Sequence, residues 1–304
     1  MNFNFLKPAK YFFILSTALT LISVLLVFYP GPRLSIEFTG GTRMELKSPK
    51  PLETDAVLAS LNTFKLSEAN AELNPTVNKS SQGTFIVRTK NLTDQDHKAL
   101  TTHLQKDLGA IEEVQYTTIG PTVGASLKNR AAYALLVASA GIVLYLAFAF
   151  RHIPRKYKAW KFGIVAVATL LHDVMVTVGI FVILSHYTNF EVDTLFITAL
   201  LTILGYSVND TIIIFDRIRD NLAVQERKET FAHVANVSVN QAWKRSFYTS
   251  SATLIMLFSL FALGSVSIKW FVLTLIIGIL LGSYSSIFVA TPLLVYWVEG
   301  KKKQ

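Results

Sequence analysis

The 304-residue sequence contains no cysteine, and charged residues make up only 16% of it. Without cysteine there are no thiolate metal sites, no disulfides and no cysteine nucleophiles; the redox compartment stays open. The shortage of charge excludes more. An ordinary soluble domain carries about 25% Asp, Glu, Lys and Arg, whereas here 51% of residues are hydrophobic. They gather in runs of about 20, the length that crosses a ~30 Å hydrocarbon core. A single soluble globule is therefore excluded. No nucleotide-binding loop or catalytic constellation is present, so nothing points to a hydrolase and no catalytic residue is assigned.

Six membrane-spanning helices are predicted, at 11–29, 131–150, 162–184, 192–215, 243–264 and 269–298. The first is too long for a signal peptide, and Tyr29-Pro30-Gly31-Pro32 is no small-residue cleavage site, so it reads as a retained anchor. The last contains Pro292 and is expected to tilt, kink or end at the interface. Lys and Arg are scarce in two short connections: 185–191 has none, and 264–269 has only Lys269. They crowd the other side, with Lys7 and Lys10, then Arg151, Arg155, Lys156, Lys158 and Lys161, then Arg217, Arg219, Arg227 and Lys228, and finally Lys301 to Lys303. The positive-inside rule then puts both termini in the cytoplasm and residues 31–130 across the membrane. In a bacterium this is a multi-pass inner-membrane protein with a periplasmic domain. The net charge of +9 is topological and lipid-facing. The outer stretch is near neutral, with 12 Lys/Arg against 11 Asp/Glu over 30–130, which removes the case for nucleic acid.

Residues 34–118 alternate between strand-like and helix-like patterns. Strands are expected at 34–38, 42–47, 69–74, 83–89 and 111–117, and helices at 53–62 and 94–108. With the first two strands taken as one hairpin, the order is β-α-β-β-α-β, the ferredoxin-like arrangement. The fold class is thus an all-α six-helix membrane bundle with an α+β ferredoxin-like periplasmic domain, divided as 1–30, 31–130 and 131–304. His97 and His103 lie six apart on a helix and read as surface residues, so no metal or cofactor is expected. Gly40-Gly41 suits a tight turn between strands. Residues 119–124 read either as a plain linker or as a hinge.

Charges inside the spans carry the most information. By translocon scales a charge at a helix centre costs about 2.5–3.5 kcal/mol, so such residues face a bundle interior, a wet cavity or a partner. Asp173, preceded by His172, lies mid-way along the third span. Asp210 lies roughly 7–8 Å inside the cytoplasmic end of the fourth, at ~1.5 Å per residue. Arg245 begins the fifth from the same side and is expected to reach Asp210. A guanidinium close by keeps a membrane carboxylate ionised, and its withdrawal lets the carboxylate take a proton. A permanent ion pair that merely joins two helices fits the same spacing, and Arg217 is a rival partner. His172 reads as a packing group rather than a ligand, and Glu191 and Asp193 as solvated span-end residues. Asn209, with Gly205 and Ser207, and the run Ser246, Thr249, Ser250, Ser251 and Thr253 suit close helix packing or a water path.

These motifs resemble the SecF family of bacterial protein-export membrane proteins over nearly the whole chain. The stretch IEFTGGT at 36–42 is similar to the family's motif after the first span, with Glu37 where the family usually has Asp. IGPTVGASL at 119–127, LHDV at 171–174, GYSVNDTIIIFDRIRDNL at 205–222 and KRSFYTSSATLI at 244–255 resemble the family's later motifs in order. The resemblance implies pairing with SecD in a twelve-span assembly of the resistance-nodulation-division superfamily. It also implies association with the SecYEG channel and YajC, and contact with a translocating preprotein. Asp210 and Arg245 fall on the family's proton-pathway residues, with a third carboxylate supplied by SecD. His172, Asp173, Asn209, Ser246, Thr249 and Ser250 are the supporting polar residues.

The reading is a SecF-type subunit that uses the proton motive force, with proton or sodium as coupling ion, to assist late preprotein translocation. The rival is a non-conducting scaffold that stabilises SecD and the translocon. A stand-alone small-molecule exporter suits the charges but not a six-span half-unit with so small an outer domain.

Overall fold

The fold is seen in a computed structural model that describes residues 3–49, 51–66, 73–80, 83–150, 157–224 and 229–300. Arg151, Arg155, Lys156, Arg227, Lys228 and Lys301 to Lys303 of the basic segments, and 69–72 of an expected strand, lie outside these residues. The chain divides into two units, one of 1–32, 134–186 and 195–304 and the other of 33–133 with 187–194.

Helix α1 (Ala9–Phe28) comes first. The sheet domain then opens with a correction. The expected strand 34–38 is instead a single helical turn, α2 (Ile36–Thr39). Its sequence alternates like a strand, but the Ser35 hydroxyl accepts the Glu37 N–H and closes the helix start. Gly40, at φ 73°, ends it, and Gly41 at φ 125° begins strand β1 (Gly41–Lys47). The order continues α3 (Thr54–Thr63), β2 (Thr76–Lys79), β3 (Phe85–Thr89), α4 (Asp94–Leu108) and β4 (Glu112–Ile119). Of the strand expected at 69–74, residues 73 and 74 are irregular and 69–72 lie outside the described residues; β2 begins at Thr76. The sheet order is β2-β3-β1-β4 with every pair antiparallel. This is the split βαββαβ arrangement, with α2 outside it.

Alternation along the strands explains the core. Met44 and Leu46 of β1 and Phe85 and Val87 of β3 face Val57 and Leu61 of α3 and Leu100 and Leu104 of α4. Thr93 caps α4 by accepting the Asp96 N–H at 3.2 Å. The two histidines are tied in rather than merely solvated. His97 stacks on Tyr116 at 3.8 Å and bonds Glu113 at 2.7 Å, while His103 contacts the Ser60 carbonyl at 3.1 Å. Among the described residues no three His, Asp or Glu side chains converge as a metal site requires.

Five further segments follow: α5 (Pro121–Ala149), α6 (Ala159–Tyr187), α7 (Thr194–Ala223), α8 (Phe231–Leu263), and a last span of α9 (Lys269–Ser285), a π-helical turn (286–290) and α10 (Thr291–Glu299). With α1 they make six helices long and apolar enough to cross a membrane. Of residues 119–124, Ile119 ends β4 and Pro121 starts α5, so Gly120 alone lies between the two elements. The last span does not break at Pro292. The π turn just before it takes up the missing N–H and the crowding of the ring. An aromatic cluster including Phe150, Phe162, Phe215 and Phe231 packs one end of the membrane unit, with Phe162 edge-on to Phe215 at 5.6 Å.

Candidate functional site: a hydroxyl-lined carboxylate pair

Helices α6 and α7 are apolar, so their few polar side chains turn inward. Thr169, Asp173 and Thr177 recur at helical spacing on the buried face of α6, and Ser207, Asp210 and Thr211 on that of α7. Both carboxylates are 0% exposed. The third wall comes from Ser283, Ser285 and Ser286, where α9 passes into the π turn. Gly282 makes that approach possible, since a Cβ there would stand 3.0 Å from the Ser207 Cα.

The two acids are held differently. Asp173 is saturated: Oδ1 accepts from His172 Nδ1 at 2.8 Å, and Oδ2 accepts from the Ser207 hydroxyl at 2.5 Å and the Ser285 hydroxyl at 2.7 Å. That contact sets the His172 tautomer with its proton on Nδ1. Asp210 is held on one side only. Its Oδ2 accepts from Ser283 at 3.1 Å and Ser250 at 3.3 Å, with Ser246 alongside. Its Oδ1 is buried and has no hydrogen-bond partner among the described residues. Ser250 and Ser283 lie 2.7 Å apart, and the Tyr206 hydroxyl donates to Ser250 at 3.3 Å. Hydroxyls both donate and accept. The cluster can therefore donate to an ionised Asp210 or accept from a protonated one.

The expected Asp210–Arg245 contact is not formed. Among the described residues no ion pair joins them, and Arg245 is exposed. The reason is helical phase: successive residues turn by about 100°, and Ser246 and Ser250 take the inward positions of α8. Arg245 instead lines a groove of about 460 Å³ with Ile212, Asp216, Arg217, Asp220 and Gln241. Arg217, the rival partner, donates to Gln241 at 2.6 Å. By the same phase Asn209 and Thr249 are exposed, and Thr249 bonds the carbonyl of Arg245. Of the eight polar residues singled out from sequence, the fold gathers His172, Asp173, Asp210, Ser246 and Ser250 and leaves Asn209, Arg245 and Thr249 outside. Ser207, read from sequence as suiting close helix packing or a water path, joins Asp173. Sequence reasoning missed Ser283, Ser285 and Ser286; the signal was a run of hydroxyls, GSYSS, inside an apolar span.

Comparison with known proteins identifies the architecture. Residues 98–300 match the family described as protein export membrane protein SecD/SecF, C-terminal, and residues 27–48 match the SecD/SecF GG motif. The chain belongs to the SecD/SecF family. It is 38% identical to protein translocase subunit SecF of Thermobaculum terrenum, over 94% of this chain and 91% of that one. It is 34% identical to protein translocase subunit SecDF of Bacillus subtilis, over 97% of this chain but only 38% of that one. The crystal structure of SecDF, a translocon-associated membrane protein from Thermus thermophilus, superposes with a TM-score of 0.83 at 32% identity. That match covers 98% of this chain and 39% of that one. The chain thus spans nearly all of a SecF and well under half of a SecDF. It is a multi-pass membrane protein of a transport family.

The SecD/SecF GG segment is built for close approach. A Cβ on Gly41 would meet the Thr89 carbonyl at 2.7 Å, and one on Gly40 would meet the Pro121 Cα at 2.9 Å; both glycines also hold positive φ. Just before them, Glu37 Oε2 accepts the Thr194 N–H at 2.8 Å and the Thr194 hydroxyl at 2.6 Å. Glu191 is likewise no solvated span-end residue. It forms an ion pair with Arg88, and its side chain is 10% exposed.

Proposed function

We propose that the chain is the SecF-type subunit of a protein translocase, paired with SecD in the bacterial inner membrane, and that proton exchange at Asp210 drives part of its work. On this reading residues 31–130 face the periplasm. The assembly acts with SecYEG, and with YajC where present, on an emerging preprotein. What supports it is the one-sided environment of Asp210: a fully buried carboxylate with one oxygen among hydroxyls and the other without a partner among the described residues. Such a group can gain or lose a proton while its neighbours only reorient. Arg245, exposed on its groove, stands in the withdrawn position, and its approach would favour the ionised acid. Asp173, with three donors, anchors α6 to α7 and α9 and does not carry the proton.

At a proton motive force of ~150 mV each proton supplies roughly 3.5 kcal/mol. That biases a two-state equilibrium by a few hundredfold and assists a preprotein segment by segment. The test is proton flux and late-export rate in vesicles holding SecD with wild-type, Asp210→Asn or Arg245→Met protein. Loss of both activities with SecD still co-purifying supports the proposal. Normal export by Asp210→Asn overturns it in favour of a scaffold.

A further inference from the structure

We infer that the turn Ser35–Gly41 is a fixed joint, and that Glu37 is a positioning residue which, through Thr194, keeps the segment 187–194 fastened to the sheet throughout the working cycle. The segment 187–194, which leads into α7, is held to that domain at four separate points. The Ser35 N–H donates to the Val192 carbonyl at 2.9 Å, and the Val192 N–H donates to the Arg33 carbonyl at 2.8 Å, so Leu34 and Val192 pair as a one-residue bridge. Asn189 donates to the Lys79 carbonyl at 3.1 Å. Arg88 pairs with Glu191. Burial and the neighbouring Arg43 and Arg33 push the Arg88 pKa down to about 10. It therefore remains a cation at neutral pH, and Glu191 is the carboxylate that offsets its crowding.

The fourth point acts on the helix itself. The first N–H groups of an α-helix have no intrahelical acceptor, and the helix dipole favours negative charge there. Glu37 supplies that charge to Thr194, the first residue of α7, from a position three residues before Gly40 in the GG motif. Helix α7 then runs unbroken to Ala223, with Asp210 sixteen residues on, about 24 Å along the axis.

The chain's lack of cysteine makes the test direct. Leu34→Cys with Val192→Cys, oxidised in the complex with SecD, closes the joint covalently. The expected result is late export within about twofold of the reduced protein. Glu37→Ala is expected to speed hydrogen exchange at the amides of 194–196 by about tenfold, the effect of one lost cap, with Met44 and Val87 unchanged, and to cut export. Glu37→Gln, whose amide oxygen still accepts both Thr194 bonds, is expected to restore most of it. Export abolished by the disulfide, or unaltered exchange in Glu37→Ala, overturns the joint. If exchange and disulfide results hold while Asp210→Asn exports normally, the proton reading alone falls.

Discussion

Exchanging each buried carboxylate for its amide separates the two acids. At position 210, asparagine can turn its NH₂ into the place of Oδ1, which has no hydrogen-bond partner among the described residues, and keep its oxygen where Ser283 and Ser250 donate. No hydrogen bond is lost, so the cost is below about 1 kcal/mol. At position 173 asparagine sets its NH₂ against His172 Nδ1 if its oxygen stays with Ser207 and Ser285, or else turns both hydroxyls from donors into acceptors, and in either case the charge-assisted bonds are lost. Hydrogen bonds to a charged acceptor contribute about 1.5–3 kcal/mol in water-soluble proteins and nearer 0.6 on average between membrane helices. With the clash included, Asp173→Asn should cost about 2–4 kcal/mol. The assay is thermal unfolding of the purified protein with SecD in lipid nanodiscs. At roughly 2–4 °C per kcal/mol, Asp173→Asn should lower the midpoint by about 4–16 °C and Asp210→Asn by no more than about 4 °C, the former always the larger loss. Equal losses, or a larger loss for Asp210→Asn, would refute the assignment of anchor and carrier.

Two other substitutions probe the packing that sets up these sites. Gly282→Leu would press against Ser207 and force α9 away from α7; a loss of about 1–3 kcal/mol and of proton flux should appear together in unfolding and vesicle assays. Thr42→Val removes the hydroxyl that accepts the Leu92 N–H at 3.1 Å and meets Thr118 at 2.9 Å. The buried N–H it strands should cost the sheet domain about 1–3 kcal/mol, read by hydrogen exchange at Leu92, with the membrane helices unaffected.

Much of this organisation was legible in the sequence because its physical signals are strong. Twenty apolar residues in a row have few alternatives to a span, and a carboxylate such as Asp173 or Asp210 persists in one only if the interior receives it. The geometry around those acids was harder to read. Arg245 lies at a suitable depth, but depth does not fix helical phase, and Ser246 holds the inward position instead. Ser283 and Ser285 gave little warning, since a hydroxyl in a membrane helix can bond its own backbone. At 34–38, an alternating apolar pattern signalled a strand while a serine cap and a glycine stop made a helical turn. The partner of Glu191, Arg88, stands about a hundred positions earlier in the chain, beyond the reach of any local pattern.

The exposure of Arg245, Asn209 and Thr249 bears on the life of the chain in the cell. A lone copy leaves a guanidinium and an amide within spans uncovered, and hydrocarbon solvates such groups poorly until another polypeptide covers them. Its survival after insertion should then track the supply of that polypeptide. Synthesis of the two in step would limit the time an orphan spends open to proteolysis, and surplus copies would be cleared without any dedicated recognition signal.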